Sequence, residues 1–382
     1  MIRDPASEQA LNGAADSIES AATAIELAAL GVVAVAIGSI TVDSTYTSMR
    51  AREARDIKAM EAALKRGRKL LTAQSDQLIY AMADATDEWA AKYYTAASKA
   101  QVKAAQNVNM KPAISSGTKA NAEAIERLCR TSMIEIVSPD GELLPMEKAY
   151  RAHVDNAIRA IKAGENVYQD AIAKAVNDLA SYGLRVRYES GATRELYAAV
   201  RTNVMDGYRT TMDGIRSAQG REFGADGVEV TAHGMCAPDH QPYQGRQYSK
   251  REFDKINATL ERPLVTGANC HHSTFPVILG VSSDKYTDKE LQAIKDRSNQ
   301  EITFTGVGGQ PITMTRYDAT QYQRKVEGAI RQNNMAASLA DSASASTDAK
   351  RKARELTAYY KSMSKDSGLT TRIERTQAYT LK

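Results

Sequence analysis

LAALGVVAVAIGSITV, from Leu27 to Val42, runs sixteen residues without a charge, and its reading decides between a membrane protein and a helical protein with a buried helix. A span needs ~20 apolar residues. Glu26 and Asp43 bracket the run, and its Ala, Gly and Val pack against other helices in water as well as in lipid. It therefore reads as a helix buried all round, against its own chain or a partner, with no membrane. Working outward, Ser7 to about Lys103 is rich in Ala, Glu, Lys and Arg with little Gly or Pro, which predicts successive helices. Arg50 to Lys69 holds eight basic and three acidic residues, a run that reads as a solvated helix face.

The whole chain has 382 residues, 43% of them hydrophobic, enough for two or three packed domains. Fifty Lys and Arg against 46 Asp and Glu leave +4, which excludes an acidic tail protein and gives little ground for a nucleic-acid partner on charge alone. Eighteen Tyr against four Phe and one Trp argue against a large β-sandwich. Three Cys, with no signal-like segment at the start, argue against a secreted disulfide scaffold and for synthesis in a reducing cytosol.

Punctuation divides the rest. Asn107 to Gly117 reads as a linker, Ile134 to Val137 as a strand and Ser138-Pro-Asp-Gly141 as a turn. Val154, Ile158, Ile161, Tyr168, Ile172, Val176 and Leu179 recur at helical steps and predict one long helix from Met146 to Leu179. A strand from Leu184 to Tyr188 and a Ser190-Gly191 turn lead to a second stripe, Leu196, Val200, Val204, Tyr208, Met212 and Ile215. After Gly224, Val228 to Thr231 alternates like a strand, and Glu301 to Thr315 reads as a hairpin closed over Gly308-Gly309. Tyr317 to Leu339 and Thr347 to Lys361 are amphipathic helices separated by Ser342 to Ser346, and Thr371 to Ala378 extends the helical tail. The expectation is a predominantly α-helical α+β protein in four parts: an N-terminal helical docking region (1–110), a central helical region (111–225), a His/Cys β-containing module stabilised by metal (226–315) and a basic helical tail (316–382). The tail carries thirteen basic and seven acidic residues. Its Arg324, Lys325, Arg331, Arg351, Lys352 and Arg354, interleaved with Tyr322, Tyr359 and Tyr360, are candidates for non-specific contact with DNA phosphates.

Four of the five His and two of the three Cys lie between His233 and His272. One group is His233-x-x-Cys236-x-x-x-His240 and the other Cys270-His271-His272, joined by a turn-rich stretch. Two short-spaced clusters of thiolate and imidazole brought together by a loop suit structural zinc. His233, Cys236, His240, Cys270 and His272 are the candidate ligands, more than the four that zinc takes. The alternative chemistry is a metal-dependent nuclease or other processing enzyme, with Asn269 orienting, His271 or His272 binding a divalent ion and His233 or His240 activating water. Asp239 is the one acidic residue near enough in sequence to help, and no phosphate loop, His-Glu-x-x-His or Gly-x-Ser-x-Gly motif occurs. The chain is therefore expected not to be an enzyme.

The run His233-Gly-Met-Cys-Ala-Pro-Asp-His240, Gln244-Gly245, and Gly267-Ala-Asn-Cys-His-His272 with Pro276 and Gly280 resembles the phage minor capsid protein 2 family. Upstream, Leu179-Ala-x-x-Gly183, Tyr188-x-Ser-Gly191, Ala199-Val-Arg201 and Gly224-Ala-Asp-Gly-Val-Glu-Val are similar to its lead-in. Downstream, Tyr317-x-Ala-Thr-Gln321-x-Gln-Arg324, Glu327, Ile330-Arg331 and Gly368-Leu369-x-x-Arg372-x-Glu-Arg375 resemble its helical tail. The resemblance covers about residues 146–378. It implies a virion component made in a bacterial cytoplasm and located at the portal vertex or inside the head, related in role to Mu F-type head morphogenesis proteins. Its implied partners are the portal protein, other capsid subunits and packaged DNA, with several copies around the portal. Elements of the wider group fall at Cys236, His240, Cys270 and His272; Cys236 and His271 stand where many relatives carry a basic residue.

Overall fold

The computed structural model describes residues 8–41, 44–93, 101, 103, 108–162, 168–265, 270–340 and 343–378. Ten α-helices and nine short strands form among them: α1 (Glu8–Gly38), α2 (Tyr46–Tyr93), α3 (Lys111–Leu128), β1 (Ile134–Val137), β2 (Leu143–Pro145), α4 (Met146–Lys162), α5 (Tyr168–Tyr182), β3 (Arg185–Arg187), β4 (Thr193–Glu195), α6 (Leu196–Glu222), β5 (Gly227–Val230), β6 (Gln247–Ser249), α7 (Lys250–Thr259), β7 (Thr274–Val277), α8 (Asp288–Asn299), β8 (Glu301–Thr305), β9 (Pro311–Thr315), α9 (Arg316–Leu339) and α10 (Ala343–Ser367). The protein is α+β and predominantly helical. Its residues group into two compact units that interleave along the chain. The first takes Met1–Ala15, Ala73–Glu123 and Thr202–Gln321; the second takes Asp16–Thr72, Ala124–Arg201 and Tyr322–Lys382.

The second unit is built around an antiparallel sheet of order β2-β1-β3-β4. Its two halves repeat one motif at an interval of fifty residues: Gly141 and Gly191, both at positive φ, close tight hairpins, and α4 and α6 start at Met146 and Leu196. The central pairing sets Ile134 opposite Val186 and Glu135 opposite Arg185, so each repeat meets the other about a local two-fold axis. β1 is buried along its whole length. Within this unit α1 is apolar yet carries buried carboxylates. Glu19 pairs with Arg331 at 2.6 Å, and Asp16 accepts from Arg375 at 2.5 Å and Arg372 at 3.3 Å. α1 is long and apolar enough to cross a membrane by composition, but most of its apolar window is covered by the chain itself. Leu30, Val33 and Ile37 are among its buried residues, while Val35 is 67% exposed.

In the first unit, Leu11, Ile79, Met82, Met205, Tyr208 and Met212 form an apolar cluster. Asn121 bridges it, donating to Ser75 Oγ at 2.8 Å and the Val204 carbonyl at 3.3 Å. It reaches them because Gly207 has no side chain: a Cβ there would lie 1.9 Å from Asn121 Oδ1. A three-stranded antiparallel sheet of order β6-β5-β7 sits in the same unit. Arg216 on α6 fixes its β7 edge, donating to Ser273 Oγ at 3.0 Å and lying 4.1 Å over the Phe275 ring. Helices α7 and α8 each start with a reciprocal capping box, Ser249 with Glu252 and Thr287 with Glu290.

Three sequence expectations change. Residues Lys111 to Gly117, read as linker, open α3; Pro112 lies in the first turn, where a missing N–H costs nothing. Gly117 lets Thr211 approach to where a Cβ would be 1.9 Å from its hydroxyl. The single helix from Met146 to Leu179 is two helices, α4 and α5; Ile161, Tyr168 and Ile172 have side chains outside the described residues. At the tail, α10 already starts at Ala343, and Ser346 donates to the Ala337 carbonyl at 3.0 Å. Thr371 to Ala378 contributes one 3-10 turn, Ile373–Thr376.

Burial, reinforced by repulsion from Glu195, raises Glu26 from its ordinary 4.5 to about 8 despite the opposing pull of Arg331. The folded state thus binds this proton more tightly than the unfolded state. The resulting stability is complete below about pH 4.5 and is lost as pH rises through about 8. Thermal melts of the full chain from about pH 5 to about pH 9 are expected to show a decline that Glu26→Gln flattens, a difference on the order of 3 kcal/mol at the alkaline end.

Candidate metal centre

The two His/Cys groups converge because the strands that carry them pair. β5 and β7 run antiparallel from Gly227 opposite Val277 to Val230 opposite Thr274. The ladder continues one step, with the Thr231 N–H donating to the Ser273 carbonyl at 2.9 Å and the Ser273 N–H to Thr231 Oγ1 at 2.9 Å. Beyond that step the chain leaves the sheet on both sides, through His233 to His240 on one and Cys270 to His272 on the other. Residues thirty apart in sequence meet as neighbours.

His240, Cys270 and His272 are buried, and one donor atom from each lies within 4.8 Å of the others. Cys270 Sγ is 3.3 Å from His272 Nδ1 and 3.7 Å from His240 Nδ1, and the Val265 N–H donates to the same sulfur at 3.3 Å. On their far sides, His240 Nε2 meets the Arg262 carbonyl at 2.7 Å and His272 Nε2 meets Gln244 Oε1 at 3.3 Å. Gln244 Oε1 also accepts the His233 N–H at 3.1 Å, which fixes the amide's orientation. Cys236 is buried too, four residues before His240. His233 is half-buried, its ring 4.4 Å from that of His272, and His271 is half-buried 5.9 Å from His233.

The surroundings of Cys270 ease its ionisation. Burial opposes its ionisation, but the hydrogen bonds from His240 and the backbone outweigh burial and lower its pKa. Burial also opposes a charge on His240, and Cys270, the Arg262 carbonyl and Asp239 together overcome it, raising that pKa. Burial, with the neighbouring histidines, holds His272 well below the ordinary histidine range. Burial and repulsion from Cys270 push Cys236 up to about 12. Backbone strain concentrates here as well: Met235 and Val265, both non-glycine, have φ of 60° and 71°. Three donors of this kind, preset in a buried pocket, can hold a metal ion.

Asn269, the orienting residue of the nuclease reading, lies outside the described residues, as do 266–268. Gln244, which holds His272, was present in the sequence motif without a role; an amide bonded to a backbone N–H and a histidine at once has no signature in sequence.

The chain belongs to the phage minor capsid protein 2 family. The family model for phage minor capsid protein 2 matches residues 44–365, nearly the whole chain. No curated protein and no solved structure matches it. The match makes this minor capsid protein a structural component of a phage head, associated with other capsid components in the virion.

The six candidate DNA-contact cations of the tail fall into two groups. Lys325, Arg351, Lys352 and Arg354 are exposed. Arg351 pairs with Glu355 at 2.9 Å. Arg324 is half-buried 3.8 Å from Glu327, and burial lowers it to about 10. Arg331 is buried, bonded to Glu19 and lying 3.8 Å over the Tyr197 ring, so its charge is spent inside the unit. The tyrosines are likewise engaged: Tyr359 donates to the Tyr322 hydroxyl at 3.2 Å and the buried Tyr360 to Glu327 at 2.7 Å. Arg331→Ala is expected to cost roughly 3–5 kcal/mol by stranding Glu19, whereas Arg354→Ala should stay within about 0.5 kcal/mol; urea unfolding of the two variants separates them.

Proposed function

We propose that this minor capsid protein is a structural and assembly component at the portal vertex, present in several copies around the portal, that assists head morphogenesis and DNA packaging or ejection. The observation that carries the reading is the family match over nearly the whole chain. Two surface features support it. Within the N-terminal region 1–110, Val35, Tyr46 and Leu70 expose 67%, 40% and 40% of their surface, apolar area suited to docking on the portal protein. On the tail, Lys352 and Arg354 join Lys325 and Arg351 as accessible cations that can contact packaged DNA without reading sequence. In the 226–315 module the metal is zinc, because thiolate with imidazole suits it and its function there is structural. The family match supports a structural, non-enzymatic role.

Cryo-EM of the particle tests the location: density for the chain is expected around the portal, and density confined to the capsid lattice would refute it. DNA contact by the full chain should be independent of sequence and fall by ~0.9 in log K per decade of salt for each neutralised phosphate. Replacing Arg351, Lys352 and Arg354 with Gln is expected to reduce that slope by up to about three; an unchanged slope would assign the tail to protein contacts alone. Removing metal with a chelator should lower the melting temperature, and added zinc should restore it, further stabilisation rising with the logarithm of free zinc.

A further inference from the structure

Helices α9 and α10 enclose a groove of about 350 Å³, lined by Asn334 of α9 and by Thr347, Lys350, Ala353, Arg354 and Thr357 of α10. The α10 wall is a single helical face, because steps of three and four residues stack side chains in a row. Ala353 is buried, and its single methyl group leaves the hollow between the longer side chains on either side. Among the described residues no carboxylate lines the groove, and neither Lys350 nor Arg354 pairs with an acid. We infer that this groove seats one phosphate of a DNA backbone, shared between Lys350 and Arg354, with Arg351 outside it. The inference rests on the DNA-contact reading of the tail above and names where on the tail that contact is made.

The hydrogen bonds already formed in the groove leave its cations to meet an anion. The Thr347 and Thr357 hydroxyls donate to the Ala343 and Ala353 carbonyls of their own helix, each at 2.7 Å. Asn334 Nδ2 donates to the Thr376 carbonyl at 2.7 Å. A hydroxyl has one proton to give, so neither threonine has one left for a ligand. Arg354 Nε donates to the Lys350 carbonyl at 3.3 Å, which draws the side chain back over the preceding turn. The two terminal amino groups of the guanidinium stay open, and their paired N–H bonds match two oxygens of one phosphate. The Lys350 ammonium, carried one turn away on the same face, adds a point charge to that seat.

The other tail cations are placed differently. Arg351 lies 2.9 Å from Glu355 and 3.7 Å from Asp348, so its charge is answered within the helix. Lys352 is two residues from both Lys350 and Arg354, which puts it on the far side of α10 from the groove. Charge complementarity selects DNA as the occupant. A peptide would need apolar pockets for its side chains, and Ala353 is the only apolar residue in the lining. A phosphodiester brings its charge on an exposed group and needs only cations that can reach it.

The test titrates full-length protein against a mixed-sequence duplex by fluorescence anisotropy at several salt concentrations. Each neutralised phosphate contributes ~0.9 to the slope of log K against log salt. Because one phosphate is shared, the double variant Lys350→Gln with Arg354→Gln should lose about 0.9 from the slope, where two separate contacts would lose about 1.8. Arg351→Gln should leave the slope unchanged, which keeps the triple replacement described above below its upper bound, and Lys350→Arg should retain the wild-type slope. Both positions are exposed, so the variants should melt as the wild type does. A wild-type chain that binds no DNA at low salt would overturn the DNA reading itself. With wild-type binding intact, an unchanged slope in the double variant, a loss near 1.8, or a loss in Arg351→Gln would overturn the groove alone. Unchanged DNA binding by a double variant that no longer co-purifies with other capsid subunits would also overturn it, and would assign the groove to an acidic protein segment.

Discussion

Helix α1 places Asp16, Glu19 and Glu26 inside the second unit, and ionised carboxylates out of water are tolerated only with charged partners in good geometry. That constraint organises the unit. Asp16 and Glu19 draw Arg331 from α9 and Arg372 and Arg375 from the end of the tail, and Arg201 lies 3.6 Å from Glu19. Glu327 on α9 adds the Tyr360 hydroxyl of α10 and lies 3.8 Å from Arg375. Helix α1 is thereby held to α9 and to residues 372–375 through ion pairs as well as apolar contact. At Glu26 burial and repulsion from Glu195 outweigh the pull of Arg331 and Arg185, and its pKa rises to about 8. The same acids explain why a helix apolar enough for a bilayer belongs in a protein interior: each would be more costly in lipid than beside an arginine.

The sheet-forming segments reuse one device. A hairpin closed by a glycine at positive φ leads directly into a helix at Gly141 and α4, at Gly191 and α6, and at Gly309 and α9. In each hairpin the same hydrogen bond closes the turn: Gly141 N–H to the Ser138 carbonyl, Gly191 to Tyr188 and Gly309 to Gly306, at 2.9 Å in all three. At the first of them α4 packs back on both of its own strands, β1 and β2. The His/Cys module departs from the pattern. β5 and β6 are joined by a long loop in place of a tight turn, and that loop carries His233, Cys236 and His240.

Much of this was legible in the residues. Turn chemistry at Ser138 to Gly141, Ser190-Gly191 and Gly308-Gly309 located the hairpins, because a positive φ leaves glycine as the favoured choice. The clustering of His and Cys located the site. What was hidden depends on three dimensions. Gly117 reads as a breaker but serves a close helix approach to Thr211. Arg331 reads as a surface cation, since a helix periodicity does not reveal that Glu19, 312 residues away in sequence, faces it. The fifty-residue repeat escaped notice because its two copies share geometry and a few small or apolar positions, such as Ala149 with Ala199, and little identity.

The two units handle buried charge differently, and the difference bears on how a capsid component withstands its surroundings. In the second unit, opposite charges are supplied by side chains of the same chain, always present and little affected by salt because they are buried. In the first, the zinc proposed at His240, Cys270 and His272 comes from outside the chain, and its affinity depends on proton concentration because each ligand must be deprotonated to bind. The proposed zinc site would weaken toward acid, whereas alkali opposes the second unit by ionising Glu26.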